Sequence, residues 1–366
     1  MLKKTINLYN QFKKVKFSFK TPIKKKILLF DGFHSDILRE IIKQDFDILK
    51  VRDDKVIYFW IFLKQIIFLD FRFNTYCKNY IKFISPKILI TLIDTNIDFY
   101  ILKNNFRNIQ FISIQNGVRT LDWFKSKRVK ISKNLKCDHI FVFNKHYLKE
   151  YQKIIDSNYH VMGNFKNNIV ELNKTKNNKN FLLISELGFG FNNEIYMNNN
   201  KKLFNFINLY MLKNNKKIYI LLKSKNTFLQ QKEIYYYKKI FQSNCIFQKS
   251  SEWKESYKIL DKFQNIIFMW STLGYEAIAR KKKIVAFSPN RVKGYKYHFG
   301  WPATYKKNYN FFTPRNFTYI EIARVLDRIS KCSQVNWEKQ YYKTIKDQFY
   351  LDKNNSKLKK IISELL

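Results

Sequence analysis

The sequence predicts an α/β protein with two Rossmann-like domains that face an interdomain cleft. Short apolar runs, such as residues 27–30 and 87–92, alternate with helical patterns, which is typical of parallel sheets with crossover helices. The alternation restarts after a polar stretch rich in Asn and Lys at residues 163–180. The length of 366 residues and the hydrophobic content of 46% suit two ordinary domains. Ligands bind such sheets outside the carboxyl ends of the strands, so the loops after the strands are the candidate site.

The first domain, residues 23–165, is expected to follow a basic leader at residues 1–22 and to contain six strands. Ser35 or Asp36 is predicted to cap a helix. Two helical stretches cover about residues 55–84, and Pro86 ends the second because proline cannot continue a helix. The strands are predicted at residues 27–30, 46–49, 87–92, 109–114, 138–143 and 160–162.

The second domain, residues 180–330, is expected to follow a linker at residues 166–179. Helices at residues 331–366 are expected to pack back on the first domain. The strands of the second domain are predicted at residues 180–185, 217–223, 245–248, 265–270 and 283–287, with helices at 194–212, 230–241 and 251–261 between them.

The formal net charge is +41, which indicates attraction to polyanions such as nucleic acid, anionic lipid or phosphate-bearing substrates. A genome rich in A and T would also raise the lysine content without selecting any partner. The lysines are dispersed along the chain instead of clustering on one helix face or arm. We therefore expect no specific nucleic-acid partner.

The cysteines and the apolar stretch at residues 56–73 bear on the cellular compartment and on membrane contact. The four cysteines lie far apart and form no CxxC pair, which argues against a zinc site or a disulfide framework and favours a reducing, cytoplasmic compartment. Lys64 and Asp70 interrupt the apolar stretch at residues 56–73, short of the roughly 20 residues that a spanning helix needs. That stretch is predicted as a buried or interfacial helix, while residues 3–20 either rest on an anionic bilayer or form a flexible leader. The sequence thus indicates peripheral contact with an anionic membrane.

The most informative motif is STLGYEA at residues 271–277, between an apolar strand and a helix. Ser271 and Thr272 place hydroxyl groups at a helix N-terminus, where unpaired backbone N–H groups favour an anion. Gly274 allows a ligand to approach the backbone, and Glu276 can accept hydrogen bonds from ribose hydroxyls. The same residues fit an ordinary capped helix with an early glutamate, so spacing alone leaves both interpretations open.

Residues 271–287, STLGYEAIARKKKIVAF, resemble the S-T-x-G-x-E-A segment of bacterial surface-carbohydrate biosynthesis proteins of the GT-B glycosyltransferase type. Segments at residues 90–100 followed by 111–119, at 137–168, and at 297–303 followed by 311–312 resemble the same group in the same order. The resemblance implies that Ser271, Thr272, Gly274 and Glu276 hold the nucleotide of a nucleotide-sugar donor. It also implies an enzyme that needs no metal and no cofactor, because the helix dipole and basic side chains carry the phosphate charge.

The loop after the strand at residues 109–114 contains Gln115, Asn116, Gly117 and Arg119. It resembles the Gln–x–Gly–x–Arg loop of the same group, which implies a position on the acceptor side of the cleft. Related transferases often have histidine at the position of Asn116, so a histidine-based role does not transfer to this chain.

Sugar transfer needs positive charge at the donor phosphate and a base for the acceptor hydroxyl. Lys223 ends a predicted strand and matches a basic residue of the related transferases, although the neighbouring His and Pro of their turn are missing. It fits an ordinary surface lysine equally well. Asp94, Asp31 and His34 each follow a predicted strand and are the candidate bases, Asp94 alone with support from the resemblance.

The predicted function is therefore transfer of a sugar from a nucleotide-activated donor to a growing surface polysaccharide or a lipid-linked acceptor. A transferase of the same fold that uses CDP-glycerol or CDP-ribitol would carry a similar donor segment. A non-catalytic, basic nucleic-acid-binding protein is the alternative from another class, and it predicts arginines and aromatic residues on one face.

Overall fold

The computed structural model describes residues 15–51, 55–67, 70, 72–119, 121–172, 178–187, 194–269, 271–287, 309–314, 316–342, 345–346 and 349–366. The chain forms two compact units. Unit 1 contains Met1–Asn116, Phe124–Ile169 and Asp352–Leu366, and unit 2 contains Gly117–Trp123 and Val170–Leu351. The segment Gly117–Trp123 thus belongs to the second unit although it directly follows a strand of the first.

Unit 1 is built on a six-stranded parallel sheet with the strand order β3-β2-β5-β6-β7-β8. Ile27–Phe30 and Ile88–Thr91, two neighbouring strands inside this sheet, are buried at every position, as expected where helices cover both faces of a parallel sheet. The strands are β2 Ile27–Phe30, β3 Phe46–Leu49, β5 Ile88–Thr91, β6 Gln110–Ile114, β7 Lys136–Val142 and β8 Asp156–Val161.

The helices of this part of the chain follow the strands in the expected alternation. Asn96, Ser126 and Asn144 cap three of them by accepting backbone N–H groups of the first turn. The helix after β2 has His34 as its N-cap residue, and the His34 side chain makes no capping hydrogen bond, so the predicted cap at Ser35 or Asp36 is wrong. The helices are α1 Ser35–Ile41, α2 Phe59–Ile67, α3 Phe73–Ile84, α4 Ile97–Lys103, α5 Leu121–Phe124, α6 Lys127–Ile131, α7 Lys145–Gln152 and α8 Phe165–Ile169.

A small two-stranded sheet departs from the prediction. Strand β1, Lys16–Ser18, lies in the predicted leader and pairs in parallel with β4, Val56–Tyr58. The stretch at residues 56–73 is therefore not one helix, because its first residues extend as β4 before α2 begins. Val, Ile and Tyr favour strands when a partner is present, and that partner is 40 residues away in sequence.

Unit 2 is built on a five-stranded parallel sheet with the order β11-β10-β9-β12-β13. The chain runs from β9 outward to β10 and β11, then returns to the other side of β9 at β12. This reversal is a topological switch point between β9 and β12. The strands are β9 Asn178–Ile184, β10 Ile218–Leu221, β11 Cys245–Gln248, β12 Phe263–Phe268 and β13 Lys283–Ala286.

The helices of the second half are α9 Glu194–Lys213, α10 Thr227–Phe241, α11 Trp253–Asp261, α12 Thr272–Ala279, α13 Tyr309–Phe312, α14 Tyr319–Lys331 and α15 Gln334–Asn336, followed by α16 Ser356–Leu365. The predicted linker holds the end of α8 and the start of β9. None of the helices within the described ranges has the length and apolarity to cross a membrane.

The C-terminal segment belongs to unit 1 through a cluster of asparagines. Asn168 donates a side-chain hydrogen bond to Asn355 at 2.8 Å and accepts the backbone N–H of Asp352 at 3.0 Å. The amide of Asn355 in turn donates to the carbonyl of Phe165 at 2.9 Å. These contacts hold α8 against the chain segment that leads into α16.

Candidate functional site

Polar residues meet at the switch point of the second sheet. Glu186 follows β9, and Ser271 follows β12. Oε1 of Glu186 accepts the backbone N–H groups of Met269, at 3.1 Å, and of Ser271. The Glu186 side chain is only 2% exposed, so this carboxylate fixes the backbone just before α12.

Lys223 lies just past β10, next to the same carboxylate. Burial lowers the pKa of its ammonium group, while the nearby Glu186 and Glu233 carboxylates act in the opposite direction. Glu233 is buried and accepts the backbone N–H groups of Lys223 at 2.9 Å and Ser224 at 3.1 Å. Burial raises the pKa of Glu233. The structure thus brings Lys223 and Ser271 to one carboxylate, Glu186.

A second lysine lies in the same turn. The ammonium group of Lys225 donates to the hydroxyl of Ser250 and, at 2.9 Å, to that of Ser256. Burial lowers its pKa as well. Both lysines follow β10 and Ser250 follows β11, so the ammonium group of Lys225 links the carboxyl ends of these adjacent strands.

The N-terminus of α12 presents hydroxyl groups. Ser271 is the N-cap residue, but its side chain makes no capping hydrogen bond. Ser271 and Thr272 are half-buried, and Oγ1 of Thr272 accepts the backbone N–H of Val118 at 3.3 Å. The ordinary capped helix that the sequence allowed is therefore not formed by the Ser271 side chain.

Gly274 and Glu276 lie inside the protein. A β-carbon at Gly274 would lie 2.1 Å from Cγ of Phe268, so packing of the helix on β12 requires glycine here. Glu276 is buried and forms a hydrogen bond with the hydroxyl of Tyr257, whose pKa is raised by burial and by this carboxylate. Both residues support the position of α12, and the predicted contact of Glu276 with ribose stays a prediction.

The loop after β6 joins the two units in sequence. Gln115 is buried, and its side-chain oxygen accepts the N–H of Phe143 at 3.0 Å. Asn116 and the half-buried Gly117 and Arg119 continue the loop, with Gly117 and Arg119 in unit 2. A β-carbon at Gly117 would lie 3.2 Å from the Arg119 guanidinium and 3.6 Å from Oγ1 of Thr272. The structure therefore places Gly117 beside Thr272 of the STLGYEA motif.

Asp94 is fully buried at the end of β5. Its carboxylate accepts the hydroxyl of Tyr151 and, at 3.2 Å, the backbone N–H of Asn116. The hydroxyl of Tyr100 donates to its carbonyl at 2.8 Å. These bonds hold the loop after β6, so Asp94 has a structural role whether or not it also acts as a base.

Asp31 and His34 follow β2, which neighbours β5 in the sheet. Both have left-handed backbone conformations, with φ of 85° and 59°. Oδ1 of Asp31 accepts the N–H of Phe33 at 3.1 Å. Burial, with Lys166 nearby, lowers the pKa of His34 to about 3, so its imidazole is uncharged at neutral pH. Asp31 and Asp94 therefore follow the two strands that flank the switch point of the first sheet.

Two further points concern the segment at residues 297–303 and possible metal ligands. The segment YHFGWPA at residues 297–303 lies outside the described residues. Among the described side chains, no group of three or more His, Cys, Asp or Glu residues has an arrangement that could hold a metal ion.

A comparison with sequence models of protein families identifies the family of the chain. The sequence model of the family described as "putative O-antigen biosynthesis protein" matches residues 112–366, more than two thirds of the chain. The match includes the loop after β6 and the whole STLGYEA motif. The chain belongs to this family. The predicted membership of a surface-carbohydrate biosynthesis group is therefore confirmed.

Solved structures with the same architecture cover nearly the whole chain. A UDP-N-acetylglucosamine 2-epimerase of Listeria monocytogenes, so described provisionally, superposes with a TM-score of 0.56 at 12% identity, covering 93% of this chain and 97% of its own. The UDP-GlcNAc 2-epimerase of Methanocaldococcus jannaschii gives 0.52 at 14% identity, covering 93% and 100%. A glycosyltransferase of Rickettsia africae gives 0.51 at 13% identity, covering 94% and 99%. A search of curated proteins finds no match.

At these identities the similarity shows the fold, and it confirms the predicted α/β class with two Rossmann-like domains of the GT-B type. The STLGYEA motif at residues 271–277 thus lies at the switch point of a Rossmann-like sheet.

Sequence reasoning missed Glu186, Glu233 and Lys225. Glu186 follows the buried end of β9 with only Ser185 between them, so its position just after a strand was the available signal. Glu233 lies inside α10, and nothing in the local pattern shows that its carboxylate reaches back to the turn after β10.

Proposed function

We propose that this protein transfers a sugar from a nucleotide-activated donor to a growing surface polysaccharide or a lipid-linked acceptor. The observation that supports it most is the arrangement at the β9–β12 switch point, where Glu186 contacts the Ser271 backbone and lies near Lys223. The family description names the process, O-antigen biosynthesis, and the superposed enzymes whose names include UDP-GlcNAc have the same fold. A cytoplasmic location belongs to the same proposal.

The donor diphosphate is expected at the N-terminus of α12. The Ser271 hydroxyl and the first N–H groups of the helix donate to phosphate oxygens, and the helix dipole favours their charge. Lys223 adds a cation. Its lowered pKa reflects partial loss of water around the ammonium group, and in such surroundings its attraction to phosphate is stronger than in bulk water. Glu276 is the proposed partner of the ribose, sharing its carboxylate with Tyr257.

The reaction follows from these charges. The acceptor hydroxyl gives its proton to a base, its oxygen forms a bond to the anomeric carbon, and the bond from that carbon to phosphate oxygen breaks. The nucleoside diphosphate leaves with the electron pair, and Lys223 and α12 stabilise its charge. Asp94, Asp31 and His34 are the proposed bases, and Gln115, Asn116, Gly117 and Arg119 the proposed acceptor loop.

The donor site is tested by calorimetry with UDP, GDP and CDP. Substitutions Ser271→Ala and Lys223→Gln each remove a hydrogen bond to a charged group, worth about 1.5–3 kcal/mol, so the dissociation constant should rise about 10- to 150-fold. Ser157→Ala and Lys258→Gln are matched controls, since neither residue lies at the switch point. Equal affinity for all four variants and the wild type would contradict the donor site.

The reaction type is tested with the preferred nucleotide sugar. Glycosyl transfer releases nucleoside diphosphate only in the presence of acceptor. A CDP-polyol transferase would release CMP from CDP-glycerol or CDP-ribitol and ignore nucleotide sugars. Conversion of the nucleotide sugar to its epimer without nucleotide release would replace the transfer proposal with epimerisation at the same site.

A further inference from the structure

One exposed surface of unit 1 is built from β1, the residues after it, and α2. The ring of Phe17 lies 6.2 Å from that of Phe62, and the ring of Phe19 lies 5.1 Å from that of Phe59. The indole N–H of Trp60 donates to the carbonyl of Phe19 at 2.8 Å. The segment is thus held along the helix. We call four exposed apolar side chains of these elements the aromatic ridge: Phe17, Phe19, Trp60 and Ile67.

The aromatic ridge is unusually apolar for a surface. Phe19 is 68% exposed and Ile67 is 74% exposed, and Phe17 and Trp60 are about half exposed. Trp60 and Ile67 are seven residues apart, which puts them on one side of α2 at a separation of about 10 Å. Single exposed apolar side chains are ordinary, whereas a cluster of them marks a contact surface.

Positive charge surrounds the aromatic ridge. Lys16 and Lys20 flank its phenylalanines in sequence, and Lys64 lies between Trp60 and Ile67 on the same side of α2. All three are exposed. The acidic side chain of Asp70, which follows α2, is already paired with Arg72 at 2.6 Å.

We propose that the aromatic ridge docks on an anionic lipid bilayer. Aromatic and aliphatic side chains flanked by lysines suit the boundary between headgroups and acyl chains, where the rings leave water and the lysines meet anionic headgroups. A symmetric contact with a second copy would place Lys16, Lys20 and Lys64 against their own equivalents, and such like-charge contacts are unfavourable. The charge pattern therefore favours lipid. This proposal is independent of the donor site.

The test is flotation of the full chain with vesicles of phosphatidylcholine alone or mixed with phosphatidylglycerol. The apolar variant is Phe19→Ser with Ile67→Ser, and its control is Phe228→Ser with Ile320→Ser, residues 65% and 67% exposed elsewhere. The charge variant replaces Lys16, Lys20 and Lys64 by Gln, and its control replaces Lys258, Lys262 and Lys359, which are exposed on other helices or their ends. Thermal melting shows that each variant is folded.

We expect salt-sensitive binding to the anionic vesicles only. Each lysine near such a surface contributes roughly fivefold, so the charge variant should bind about 100-fold more weakly, and the apolar variant at least about tenfold more weakly. The controls should bind like the wild type. Failure of the wild type to bind anionic vesicles would overturn the proposal, as would equal losses in variants and controls, which would indicate attraction by the overall charge. A dimer that only the apolar variant disrupts, without vesicle binding, would assign the surface to a second copy.

Discussion

The carboxylate of Glu186 offers the sharpest test of how the proposed donor site is held. It accepts two backbone N–H groups, from Met269 and Ser271, in a place where its side chain is 2% exposed. Glu186→Ala leaves both N–H groups without this acceptor. A lost hydrogen bond to a charged group costs about 1.5–3 kcal/mol, so two cost about 3–6 kcal/mol. Relief of the buried charge offsets part of this, and we expect a net destabilisation of about 2–4 kcal/mol.

Glu186→Gln separates position from charge. The amide oxygen can still accept both N–H groups, so the free energy of unfolding should fall by only about 1 kcal/mol. The negative charge beside Lys223 is removed, which frees the ammonium group for phosphate. Nucleotide affinity should therefore stay equal or rise in Glu186→Gln, and fall at least about tenfold in Glu186→Ala because Ser271 is no longer held.

Urea unfolding measures the free energy of unfolding, and calorimetry with UDP below the melting temperature measures nucleotide affinity. Asp261→Asn is the matched control, because Asp261 is equally buried and pairs with Arg280 away from the switch point. It should lower stability by a few kcal/mol and leave affinity unchanged. Wild-type stability and wild-type affinity in Glu186→Ala would refute the positioning role of this carboxylate.

Three further substitutions test packing, titration and catalysis. Gly274→Ala forces α12 away from Phe268 and should lower the free energy of unfolding by about 2 kcal/mol or more. The control is Gly32→Ala, where the β-carbon would lie 3.5 Å from the Ile48 side chain, and this variant should melt nearly as the wild type does. His34 has a native pKa of about 3, below its ordinary value near 6.5, so its contribution to stability is complete above pH 6.5 and is lost as the pH falls toward 3. Between pH 7 and pH 4 the wild type should therefore lose about 1–3 kcal/mol more than His34→Gln in urea unfolding, and equal losses would disprove this assignment. Asp94→Asn disturbs two accepted hydrogen bonds and should lower the free energy of unfolding by about 1–3 kcal/mol. If Asp94 is the base, turnover should also fall about 100-fold with nucleotide affinity unchanged. Full turnover would remove Asp94 from the mechanism.

Local pattern was enough to locate the strands of the two larger sheets. The strands at Ile27–Phe30, Phe46–Leu49 and Cys245–Gln248 have the predicted bounds. Ile27–Phe30 lies inside its sheet and is buried at every position, so its residues are apolar without interruption and the run is visible in the sequence. Phe46–Leu49 and Cys245–Gln248 are edge strands and are only partly buried. The STLGYEA motif was also visible, because its hydroxyl, glycine and glutamate residues are neighbours along the chain.

Only the tertiary structure decided which residues meet. Glu186 and Ser271 are 85 residues apart in sequence, and their hydrogen bond depends on β9 and β12 being adjacent in the sheet. Strand β4 likewise exists through its pairing with β1, which local helical pattern at residues 56–73 concealed. Gly274 was read as an opening for a ligand, yet Phe268 occupies the space beside it. Periodicity records whether a residue is buried, whereas strand order and the partner of each buried polar group arise from long-range packing, which the local pattern does not contain.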